Sequence, residues 1–171
     1  PGFSAALAGG VTAMQVLPGS ANLVVGRGVT LKNVPATTYQ AMKFPGAPWG
    51  LKMACGENPK RVYGGGKGVA PGTRMGNVAG YRAAFIDASE YIAKNTPKKP
   101  KKKRWFSGGD KGDSAGDAGG KRDLKLDTLA GAIQGDIRVH IHCYRADEMA
   151  TMLDLSHEFG FRIAAFHHAV E

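Results

Sequence analysis

The chain has 171 residues, 43% of them hydrophobic and 22% charged, with a formal net charge of +9. That is enough for one domain with a real core, though short for a large barrel closed on itself, and no apolar run is long enough to cross a bilayer. Two cysteines, Cys55 and Cys143, allow one bridge at most, which argues against a disulfide-stapled secreted scaffold and leaves the redox compartment open.

No basic or apolar leader opens the chain, so any targeting signal is either absent or lies outside it; a soluble protein is expected, with its compartment unreadable. From Ala13, AMQVLPGSANLVVGRGV reads as a short buried strand, Met14 to Leu17, ended by Pro18-Gly19 and followed by a loop of small and polar residues. Pro35 to Phe44 reads as a short helix or as irregular chain. Trp49 to Cys55 (WGLKMAC) is a second short strand with Lys52 in its middle, stopped by Gly56-Glu57-Asn58-Pro59. After a glycine-rich loop, Gly64 to Gly68, the apolar spacing of Val78, Tyr81, Phe85 and Ile86 predicts a long helix over Arg74 to Lys94.

Thr96 to Arg122 is almost entirely Pro, Gly, Lys, Asp and Ser, apart from Trp105-Phe106. Such a segment buries too little apolar surface to offset its ordering entropy, which predicts a mobile insertion. The positive charge is concentrated there. Lys98, Lys99, Lys101, Lys102, Lys103 and Arg104 form KKPKKKR, and taking these six from the +9 leaves an ordinary +3. Lys101, Lys102, Lys103, Arg104 and Trp105 are the residues of a rival function: cations that track a phosphate backbone beside an aromatic that stacks a base. The counter-charges of DKGDSAGD, next in the chain, favour a solvated loop over a nucleic-acid partner. A scaffold without catalysis is a third reading.

A helix resumes near Asp123 with Leu126, Leu129 and Ile133 on one stripe and Gly135 closing it. Then comes an apolar strand, Ile137 to Cys143, a helix from Ala146 to Phe159 stopped by Gly160, and a strand over Arg162 to Phe166 that runs into His167-His168. Strand, helix and strand in so short a span make a βαβ unit, hence parallel strands and an α/β fold. The expected organisation is 1–95, the first strands with their following helix; 96–122, the insertion; and 123–171, the last two strands.

In parallel α/β folds the working residues collect at the C-terminal ends of strands. Three such ends carry candidates: Lys52, the pair His140/His142 and the pair His167/His168. Residues two apart on a strand share a face, so His140 and His142 project together, whereas of two neighbours only one, His167 or His168, joins them. Imidazole is the commonest ligand for divalent metals. A single strand histidine is more often structural, and a lone strand lysine is usually a solvated edge residue, so the case rests on several strand ends agreeing.

HCYRADE (His142 to Glu148), FHHAVE (Phe166 to Glu171), VTAMQVLPGSANLVVGRGVT (Val11 to Thr30) and LKMACGENPKRVYG (Leu51 to Gly64) resemble the metal-dependent amidohydrolase superfamily, in its imidazolonepropionase-like branch. The resemblance implies an α/β fold that is part of a (β/α)8 TIM-type barrel, about strands 2 to 6. It also implies a divalent metal, zinc, and hydrolysis of a C–N bond in an amide or cyclic amide by a metal-activated water. His142 matches the fifth-strand ligand, His168 the sixth-strand ligand and Lys52 the fourth-strand lysine that some members carboxylate to bridge two metals. His140 then faces substrate or supports a ligand, and His167 packs behind the strand. Tyr144 is a candidate for facing substrate, and Arg145 and Asp147 for orienting the strand-five loop, against a plainer reading as the exposed first turn of a helix. The implied partners are a small amide or dipeptide-like substrate, the remainder of the barrel and further copies of a homo-oligomeric parent. No HxH precedes Val11 and no eighth strand follows, so the expectation is an internal portion with an incomplete site.

Two other signals are weaker. The residues after Lys67 in GGGKG are Gly68 and Val69, where a phosphate-binding P-loop needs Ser or Thr. Cys55 and Cys143 lack CxxC spacing and read as buried small residues.

Overall fold

The computed structural model describes residues 2–96 and 121–171. The expected insertion, with Lys101, Lys102, Lys103, Arg104 and Trp105, therefore lies outside the described residues almost entirely. Five strands form one sheet in sequential order: β1 (Ala13–Val16), β2 (Val24–Lys32), β3 (Trp49–Ala54), β4 (Ile137–His142) and β5 (Ile163–His167). β1, β2 and β3 pair antiparallel, while β3, β4 and β5 pair parallel. The fold is thus mixed α/β.

Connection length and content set the sense of each pairing, because parallel neighbours need a crossover of a dozen or more residues, usually a helix long enough to recross the sheet. The link from Leu17 to Leu23 is too short for one, so β2 returns antiparallel. The segment before β3 holds only α2 (Tyr39–Met42) and also returns antiparallel. Between β3 and β4 lie α3 (Glu57–Lys60), a π-helical turn over Arg61–Gly65, α4 (Arg74–Asn95) and α5 (Leu124–Gln134); between β4 and β5 lies α6 (Ala146–Phe159). These are the true crossovers. A further helix, α1 (Gly2–Ala8), precedes β1.

Two expectations are corrected here. The stretch after Pro18-Gly19 is not all loop: nine residues of it form β2. Gly26, at φ 153°, sits where the β2–β3 register shifts, and Gly28 has no room for a side chain because a Cβ would lie 2.9 Å from the Val16 carbonyl oxygen. Both glycines serve strand geometry, not a turn. The glycine-rich run after Tyr63 is likewise not a loop throughout, since Gly64 and Gly65 close the π-helical turn.

Helix ends follow ordinary capping chemistry. Thr73 Oγ1 accepts from Gly76 N at 3.0 Å at the start of α4, Asp123 accepts from Lys125 N and Leu126 N at the start of α5, and Gly135 and Gly160 end α5 and α6 at φ 86° and 78°. Thr73→Ala is expected to lower stability by about 1 kcal/mol, read as a shift of the urea midpoint with unchanged slope.

One face of the sheet carries the core. Leu51, Met53, Val139 and Ile141 pack against Tyr81 and Phe85 of α4, Leu129 of α5 and Met152 and Leu155 of α6, all buried. Phe85 stacks on Phe161 at 4.5 Å and on Phe159 at 5.4 Å between ring centroids. Strand alternation sends the intervening residues, Lys52, His140 and His142, to the opposite face.

Candidate functional site

The parallel register sets these residues side by side. Lys52 pairs with His140, Ala54 with His142, and His142 with His167. Although they face away from the helices, Lys52 is only 5% exposed, His140 8% and His142 2%. Polar groups so enclosed need partners, and most have one.

Lys52 Nζ donates to Ser20 Oγ at 2.8 Å and to the Pro18 carbonyl at 3.3 Å, both from the turn after β1. Burial pulls its pKa below the usual lysine value. Gln15 Nε2 of β1 donates to His140 Nε2 at 3.1 Å, so the neutral imidazole carries its hydrogen on Nδ1 and donates it to His167 Nε2, also at 3.1 Å. Gly50 makes room for this, since a Cβ there would come within 3.3 Å of His140 Cδ2. Burial first, then the nearby His167 and Lys52, lower the His140 pKa.

His142 is held differently. Asn58 Nδ2, from α3, donates to its Nε2 at 2.9 Å, and its Nδ1 is buried with no hydrogen-bond partner. Its pKa falls to about 4, mainly through burial, with His168, Lys52 and His167 adding repulsion of the charged form. The His168 ring lies 4.9 Å from it, centroid to centroid, and the Tyr144 ring meets it edge-on at 4.5 Å.

The expectation that only one of His167 and His168 joins this face is overturned. His167 does not pack behind the strand: as the last residue of β5 it alternates onto the face of His142 and binds His140. His168 lies beyond the strand at φ 60°, and this left-handed turn breaks the alternation and brings its ring back beside His142. Arg145 and Asp147 do not reach these groups. They pair with each other, Arg145 Nε donating to Asp147 Oδ1 at 2.9 Å, on the exposed first turn of α6. That pairing holds the Asp147 carboxyl below its usual range. Tyr144 stands partly exposed at the rim beside His142 and His168.

Gln15, Ser20 and Asn58 were not singled out in the sequence. They lie in QVLPGSAN, the end of β1 with the turn after it, and in GENPK, which follows β3, so strand-end position is the available signal. The cysteines also require correction. Cys55 and Cys143 are buried, but they are joined in a disulfide with Cα atoms 5.2 Å apart. They follow the Ala54/His142 pair at the ends of β3 and β4 and point to the helix side. Among the described residues, the three-ligand group whose donor atoms all lie within 4.8 Å of one another is Cys55, Cys143 and Glu148. The histidines instead form two pairs, His140/His167 and His142/His168.

Helix-backed parallel strands whose C-terminal ends gather histidines make this an α/β protein, a class in which binding groups collect at those ends. No family model matches the chain. It is 36% identical, over 94% of its length, to "Amidohydrolase tasK" of Hapsidospora irregularis, and spans 17% of that protein. The crystal structure of an amidohydrolase from Thermotoga maritima MSB8 matches 95% of the chain with a TM-score of 0.75 and 34% identity, and the chain spans 38% of it. The chain belongs to the amidohydrolase superfamily. No helix of the described residues is long and apolar enough to cross a membrane.

Proposed function

We propose that this protein serves metal-dependent hydrolysis of a C–N bond in an amide or cyclic amide, as in the imidazolonepropionase-like branch. In this reading the three parallel strands β3, β4 and β5 belong to a (β/α)8 barrel within a larger enzyme, whereas β1 and β2, which pair antiparallel, fall outside the all-parallel set such a barrel needs, so the expected run of strands 2 to 6 is cut back to three. His142, His168 and Lys52 hold a divalent ion, zinc by the character of the nitrogen donors.

The observation that carries the reading is the buried, unpartnered Nδ1 of His142 beside the His168 ring. With the Asn58 amide as placed, that atom bears a hydrogen without an acceptor, a cost of about 1–3 kcal/mol. Turned end for end, Asn58 accepts from Nε2–H instead and the Nδ1 lone pair is free for a cation, the way ligating histidines are commonly oriented. The donor set therefore fits a metal. When bound there, a divalent ion supplies Lewis acidity, lowering the pKa of a water and polarising an amide carbonyl.

The protein's own groups prepare that chemistry. Ser20 and the Pro18 carbonyl fix the Lys52 amine, and burial favours its neutral form, the one that reacts with carbon dioxide to give a carboxylated lysine. Gln15 and His167 hold His140 neutral beside the site. Tyr144 borders the space that a small amide or dipeptide-like substrate would enter.

Metal content of the protein isolated from its source, kept under oxidising conditions, tests this. At least one equivalent of zinc is expected, lost in His142→Ala and in His168→Ala. A metal-free native protein would overturn the proposal.

A further inference from the structure

The helix side of the same strand ends carries a second cluster that the histidine site does not use. Cys55 Sγ lies 4.0 Å from Glu148 Oε2, at the first turn of α6. Glu148 Oε1 is occupied, accepting from Arg74 Nε at 2.5 Å, so Oε2 is the oxygen that faces the sulfurs. Gly56, at φ 70°, makes this approach possible: a Cβ there would lie 2.8 Å from Glu148 Oε1 and closer still to Oε2. Asn77 is 2% exposed and donates through Nδ2 to the Gly56 carbonyl at 2.8 Å, which leaves its Oδ1 buried and without a partner. Cys55, Gly56, Arg74, Asn77 and Glu148 line one cavity of about 250 Å³ between α4 and α6.

A disulfide explains why the two sulfurs meet. It does not explain a carboxylate oxygen turned towards them, nor the unpaired amide oxygen of Asn77, a residue of the same cavity. We propose that Cys55, Cys143 and Glu148 form a thiol-gated zinc site, closed while the disulfide stands and opened by a dithiol reductant.

The exchange balances as follows. One thiolate of the dithiol attacks Cys55 Sγ, the sulfur that borders the cavity, and Cys143 leaves as thiolate. The second thiol of the reductant then attacks its own sulfur in the mixed disulfide and frees Cys55. The reductant becomes a cyclic disulfide, two electrons pass to the protein, and the dithiol's two protons go to solvent as two thiolates take up Zn²⁺. Tetrahedral zinc with sulfur at about 2.3 Å and oxygen at about 2.0 Å wants sulfur and oxygen about 3.5 Å apart, close to the observed 4.0 Å. Two thiolates and a carboxylate leave one negative charge on such a site, which the Arg74 guanidinium neutralises. The Asn77 oxygen or a water supplies the fourth position.

Cobalt reports the site without interference from histidine ligands, because thiolate ligation alone gives a strong near-ultraviolet charge-transfer band. The whole protein, reduced with dithiothreitol and desalted without oxygen, is titrated with Co²⁺ beside its oxidised form. One equivalent binding with that band is expected in the reduced protein only, displaced by zinc and weakened at least tenfold in Glu148→Gln. A reduced protein with two titratable thiols and no band would overturn the proposal, and so would a band unaffected by Glu148→Gln. The wild-type pair decides the first point without any substitution, and failure here leaves the histidine reading standing, since that site needs neither cysteine.

Discussion

Phe85→Ala is expected to lower the stability of the protein by about 3–5 kcal/mol, the range for removing a large aromatic from a core that cannot close around the gap. Phe85 is completely buried at the centre of α4, stacked on Phe161 and Phe159. Those two rings flank Gly160, where the chain leaves α6 and turns towards β5. The lost side chain therefore unseats the long helix from the sheet and loosens the turn that delivers His167 and His168. Urea unfolding followed by tryptophan fluorescence reads the change, since Trp49 opens β3. A midpoint within error of the parent would mean that α4 does not pack as described.

Acid should unfold the metal-free protein through His142. Its pKa of about 4 in the fold lies below the ordinary 6.5 because burial penalises the imidazolium. A group whose pKa is lowered by folding favours the folded state while neutral. Its contribution is complete above pH 6.5 and disappears as pH falls towards 4, an effect on the order of 3 kcal/mol. His140 and His167 are lowered too, chiefly by burial, and steepen the same limb. In chelator-treated protein the urea midpoint should hold steady above pH 6.5 and drop between 6.5 and 4, with His142→Gln removing most of the drop. A parent protein equally stable at both ends of that window would show that His142 does not stay neutral in the fold.

Local signals were legible where period and punctuation agreed. The helix from Ala146 to Phe159, its Gly160 stop and the strands on either side follow from apolar spacing and one glycine, and strand alternation alone put His140 and His142 on one face. What escaped depends on tertiary context. β2 was hidden because Gly26 and Gly28 look like turn residues, whereas one accommodates a register shift and the other a neighbouring carbonyl. The cysteines stand 88 residues apart, and only the parallel register of β3 with β4 makes them neighbours. Alternation admits only one of His167 and His168 to the face and the resemblance selects His168, whereas the alternation itself carries His167 there and stops at the end of β5, before His168. The partners of the site, Gln15, Ser20 and Asn58, are ordinary polar residues until the sheet brings three strand ends together.

The left-handed backbone at His168 bears on how this position is selected. A β-carbon at φ 60° crowds its own carbonyl, at a cost of roughly 1–2 kcal/mol, and glycine would adopt the same turn with no such crowding. For folding alone, then, the best residue here is the one with no side chain. A lineage freed from any need for the imidazole would gain stability by drifting to glycine or asparagine, so on the proposed function the histidine stands where the demands of chemistry and of folding pull apart.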